Sequence, residues 1–134
     1  MPPRGLPTMM IAAWLATSAA ANAAPSAAPT ADEQRNAMLL LDTLALEKKA
    51  RVCASRFPAF SAGFDAAFQA WKSKNGTALA NGEKILRGEA QKEGRLPEIE
   101  AATDQAAKLL EGASARMIEE NCRSFVEIVG GKWP

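Results

Sequence analysis

The 134-residue sequence has no histidine and no tyrosine, and only two cysteines. Without histidine there is no Ser-His or Cys-His nucleophile pair, no haem attachment through C-x-x-C-H and no imidazole ligand for zinc or copper. Cys53 and Cys122 stand too far apart in sequence for a C-x-x-C redox motif. No glycine-rich phosphate loop leads into a basic residue in the required pattern. Charge is scarce at the beginning of the chain, where Arg4 is the only charged residue before Asp32.

That charge-poor beginning has an internal order. An apolar run from Met9 to about Ala21 is followed by Ala21-Asn22-Ala23. The run is shorter than the roughly 20 apolar residues a membrane span needs. Together with the small-x-small triplet it reads as a secretory signal peptide over 1–23, with an uncleaved N-terminal anchor as the alternative. Residues 24–30, "APSAAPT", form a flexible lead-in, and 31–134 is expected to be one domain. The mature chain then has no transmembrane segment, and its expected location is periplasmic or secreted. Arg4 is one of 16 Lys+Arg against 15 Asp+Glu, so loss of the leader makes the mature chain formally neutral. Neutrality argues against nucleic acid and against general attraction to anionic lipid. In an exported chain, two cysteines favour a Cys53–Cys122 disulfide over two buried thiols.

The remaining pattern is helical. The expected fold is all-α: three long helices, A over about 31–54, B over about 58–93 and D over about 97–129, stapled by the disulfide. A four-helix bundle is the alternative. Thr30 or Asp32 can cap helix A. "RFP" at 56–58 ends it and starts helix B. Asn75-Gly76 and Asn81-Gly82 resemble stops. Yet Phe60, Phe64, Phe68, Trp71, Asn75, Ala78, Gly82 and Ile85 keep one helical phase, which predicts a continuous helix weakened at Gly76 and Gly82. The disulfide favours the same topology. If B were two antiparallel helices and D unbroken, the cysteines would lie at opposite ends, far beyond the Cα separation of about 7 Å that a disulfide allows. Gly94 is the expected stop before helix D. That helix carries Ile99, Leu109, Leu110, Met117, Cys122, Phe125 and Val129 near a period of 3.6.

Five Phe and three Trp are the only aromatic residues in the chain, and Phe57, Phe60, Phe64, Phe68 and Trp71 crowd into 56–71. A stripe at this spacing is what the inner face of a bundle helix requires, so Phe60, Phe64, Phe68 and Trp71 are expected in the core. The carboxylate pairs Glu89/Glu93, Glu98/Glu100 and Glu119/Glu120 read as solvated helix surface, and no metal or other cofactor is expected. The disulfide would gather Arg51, Arg56 and Arg123 at one end, either as an anion pocket or as cations placed at helix C-termini, and the second reading is preferred. Trp133, after the terminating Gly130-Gly131, is expected to fold back on that end.

No residue on this chain is assigned a catalytic role. The functional expectation is a non-catalytic binding protein (adaptor, inhibitor or protective protein) that meets an exported protein or envelope component through Arg56, Arg123 and Trp133. The alternatives are an exported helical enzyme that polarises an anionic substrate with Arg, Lys and Glu, and a binder of apolar small molecules between helices.

Overall fold

The computed structural model describes residues 28–94 and 96–134. The expected leader and most of the lead-in lie outside the described residues. Those residues contain five helices and no strand: α1 (Ala31–Arg56), α2 (Phe60–Lys74), α3 (Gly76–Glu93), α4 (Leu96–Glu111) and α5 (Ala115–Ile128). The fold is therefore an all-helical bundle, and one disulfide joins Cys53 to Cys122 with the Cα atoms 5.7 Å apart. No helix among the described residues is long and apolar enough to cross a membrane.

The longest helix, α1, has 26 residues, about 39 Å at 1.5 Å per residue. It opens with a capping box. The Glu33 N–H donates to the Thr30 hydroxyl at 3.2 Å, and the Thr30 N–H donates to the Glu33 carboxylate at 3.1 Å. This helix is the spine of the molecule. α3 packs on its first half, and α4 runs alongside its second half, where α2 and α5 also meet it and pack on one another.

The two long helices expected after α1 are each divided. Helix B is interrupted at Asn75, with α2 and α3 abutting across that single residue. Asn75 has φ −102° and ψ 14°, and its side-chain amide donates to the Trp71 carbonyl at 2.8 Å, competing for a backbone acceptor. α2 and α3 then serve different partners, α2 the aromatic core and α3 the first half of α1. A shared helical phase in the sequence therefore does not mean one unbroken rod.

Helix D changes direction as well as breaking. Lys48 of α1 reaches Glu100 and Asp104 of α4, and Arg56 reaches the Glu111 carbonyl, so α4 runs in the same sense as α1. In α5, Cys122 bonds Cys53, and Lys49 lies 5.8 Å from the centre of the Phe125 ring, so α5 runs the opposite way. The reversal occupies Gly112-Ala113-Ser114, and the Ser114 hydroxyl accepts from the Met117 N–H at 3.3 Å as the new N-cap. The two cysteines meet by this route: α4 climbs to the end of α1, and α5 descends about two turns to Cys122. Gly94 does terminate α3, in a left-handed conformation with φ 69°.

The hydrophobic core lies at the disulfide end. Phe60, Phe64 and Phe68 are buried, with Ile118, Val126, Phe125, Val129 and both cysteines packed around them. The phenyl rings stack in a ladder, with centroids 4.7 Å apart for Phe60–Phe64 and 4.9 Å for Phe64–Phe68. Trp71 continues the ladder 6.1 Å from Phe68 but is only half-buried.

Candidate functional site: the disulfide-pinned end

Four backbone segments converge where α1 ends: the α1–α2 corner, the α4–α5 reversal, the first turns of α5 and the C-terminal tail. The tail is held by close backbone approach. A Cβ on Gly63 would overlap the Lys132 carbonyl, and a Cβ on Gly131 would overlap the Gly63 carbonyl. Two glycines facing each other let the tail lie flat on α2. Trp133 is thereby carried back onto the bundle, 5.7 Å from Phe57 edge-to-face and 6.4 Å from Phe60.

Arg123 extends from α5 over the same indole, with its guanidinium carbon 4.6 Å from the ring centre. Its Nη2 also pairs with Glu119 at 3.1 Å, one turn back along α5. The arginine is thus fixed from two sides while about half of its side chain remains exposed. Arg56 is exposed and donates to the Glu111 carbonyl at 3.4 Å, a cation at the C-termini of both α1 and α4. It also lines a shallow recess of about 380 Å³ with Phe57, Arg116, Ile118 and Glu119. Arg116 is paired with Glu120 at 2.9 Å. The three residues expected at the site therefore share one end, but Arg123 and Trp133 form a contacting pair while Arg56 lies with the recess. Arg51 is exposed on α1 and enters neither group.

The strongest electrostatic cluster lies elsewhere and was not legible in the sequence. Lys48 donates to the Asp104 carboxylate at 2.6 Å, the Thr103 hydroxyl at 2.7 Å, the Glu100 carboxylate at 3.0 Å and the Glu100 carbonyl at 3.2 Å. Three ammonium protons are shared among four acceptors, so the group is saturated. The hydrogen bond to Asp104 holds Lys48 above its ordinary pKa against the opposing effect of burial. The same bond holds Asp104 below its own. In sequence, Thr103 and Asp104 look like ordinary surface residues, and only the parallel packing of α4 on α1 makes them ligands of Lys48. The cluster clips two helices together.

A hollow of about 320 Å³ lies beside Trp71, walled by Leu39, Leu46, Phe125 and Ile128. Gly82 does not open a cavity there, because its missing side chain is replaced by the backbone of α1. No cluster of acidic or cysteine residues among the described residues could hold a metal ion. No family model, curated protein or solved structure matches the chain.

Proposed function

We propose that this is an exported, non-catalytic protein that acts by binding another exported macromolecule, an exported protein or an envelope component, through its disulfide-pinned end. The observation that carries the reading is the Arg123–Trp133 pair. Arginine and tryptophan are the residue types that most often dominate binding energy. Here both are held in place before any partner arrives, Trp133 by Phe57 and Phe60, and Arg123 by Glu119. Ordering that precedes binding lowers the entropic cost of association. The Cys53–Cys122 disulfide and the apolar leader support the exported location.

The test is capture of partners from a periplasmic extract with the oxidised protein, in parallel with Arg123→Ala and Trp133→Ala. Both variants should fold and should weaken the same captured partner by about tenfold or more, as expected for hot-spot truncation. Turnover of a small anionic substrate by the purified protein would overturn the non-catalytic reading.

A further inference from the structure

The end of the molecule away from the disulfide is an incomplete core. Where α3 and the first turns of α4 pack on α1, the buried residues are small: Gly82, Ala90 and Thr103. The large apolar side chains around them, Leu40, Leu41, Leu44, Leu86 and Ile99, are all partly exposed. They line two adjoining hollows of about 440 and 300 Å³ that share Leu86 and Ile99 as the ridge between them. Leu40 and Leu44 wall the first hollow, and Leu41 and Ala102 wall the second.

The two hollows differ in the charge around them. Glu83, Glu100 and Arg87 line the first, while Glu89 and Glu98 line the second. Glu83 is neutralised by Arg87 at 2.8 Å, and Glu100 by Lys48 at 3.0 Å. Glu89 and Glu98 make no ion pair among the described residues. The second hollow is therefore apolar at its base and rimmed by two carboxylates that no side-chain cation pairs among the described residues.

We propose that this double hollow is a docking groove for a basic amphipathic helix of a partner protein. Two adjacent hollows parted by a ridge suit two apolar anchors one helical turn apart, the i and i+4 side chains of a helix laid in a groove. Glu89 and Glu98 select Lys or Arg beside those anchors and disfavour an acidic helix. The groove is separate from the Arg123–Trp133 end, so the two surfaces can be tested independently.

The probe is a labelled synthetic helix with leucines at i and i+4 and lysine flanks, titrated by anisotropy into the oxidised protein. Its counterpart carries glutamate flanks. The lysine peptide should bind at least about tenfold more tightly than the glutamate peptide, with the difference shrinking as salt is added. Glu89→Gln combined with Glu98→Gln changes only partly exposed or exposed side chains and should weaken the lysine peptide several-fold with folding unchanged. Leu86→Ala should weaken both peptides, and its urea midpoint shows whether the bundle itself is disturbed. Arg123→Ala should leave the titration unaltered. Equal binding of the two peptides, no binding of either, or full binding to the double glutamine variant would each overturn the proposal. So would binding of a simple alkylammonium probe in the absence of peptide binding, which would make the groove a small-molecule site.

Discussion

Gly82 in α3 and Asn36 in α1 meet so closely that a methyl group on Gly82 would overlap the Asn36 carbonyl oxygen. The contact is reinforced one residue earlier, where the Asn36 amide donates to the Asn81 side chain at 2.9 Å. The sequence suggests a weak point at Gly82, since glycine costs a helix up to about 1 kcal/mol relative to alanine. The structure makes it the place where two helix backbones touch. Gly76, only six residues earlier, has open space around its α-carbon. The two glycines should therefore respond oppositely to the same substitution. Gly76→Ala should raise the unfolding free energy in urea modestly, by up to about 1 kcal/mol. Gly82→Ala should lower it by about 1–3 kcal/mol through overpacking. Equal responses would mean that α1 and α3 are not in backbone contact.

The Lys48–Asp104 pair gives the protein a defined acid response. Asp104 has its pKa lowered in the fold, so it binds a proton less readily there than in the unfolded chain. Its contribution is present above the ordinary aspartate value of 3.8 and is lost as pH falls through the lower, folded value. Lys48 is raised, so its contribution is lost only in strong alkali, as pH climbs past 10.5 and through the folded value. Asp104→Asn should therefore be less stable than the parent at neutral pH. The difference should close as chemical-denaturation curves are taken well below pH 3.8. A gap that persists unchanged in acid would show that the pair contributes nothing through charge.

How far the sequence reached depended on whether a feature was local. The Phe60–Phe64–Phe68 stripe could be read because a helix buries one face and the spacing marks that face. The Asn75 interruption left its mark as Asn-Gly, but the apolar phase on either side concealed it. At Gly112-Ala113-Ser114 the stop and the new N-cap are both written in the sequence. The spacing of Leu109, Leu110, Ala113 and Met117 nevertheless runs across them as one apolar stripe. The structure buries Leu110 of that stripe but exposes Leu109 and Met117, and it buries Ile118 in place of Met117, so the buried face is reset across the turn. The backbone contact at Gly82 and the partners of Lys48 could not be read. Both depend on which helix lies opposite, and single-helix patterns do not contain that information.

Phe64 is the middle rung of the aromatic ladder and only 2% exposed. It stacks on Phe60 and Phe68 and belongs to the cluster that contains both cysteines. Phe64→Ala leaves a cavity that the disulfide-tied helices on either side cannot readily collapse to fill. The expected loss is about 3–5 kcal/mol in urea denaturation of the oxidised protein. Loss of less than about 1 kcal/mol would place the ring outside the packed core.

The C-terminal tail links a packing detail to the proposed binding surface. Gly63 has no side chain, and the Lys132 carbonyl occupies the space a methyl would take. Gly63→Ala should therefore lift the tail from α2 and draw Trp133 away from Phe57, Phe60 and Arg123. The helix propensity of alanine offsets part of the lost packing, because Gly63 lies within α2. The variant should remain folded and disulfide-bonded. In an amide NMR spectrum the Trp133 indole N–H should move while that of Trp71 stays near its place. Gly63→Ala touches neither Arg123 nor the indole chemically, yet it should reproduce the weakened partner capture expected of Arg123→Ala and Trp133→Ala. That agreement would show that the partner reads the ordered pair rather than either residue alone. If the indole signal moves and capture is undiminished, the partner does not use this end of the molecule, and the proposed binding face is wrong.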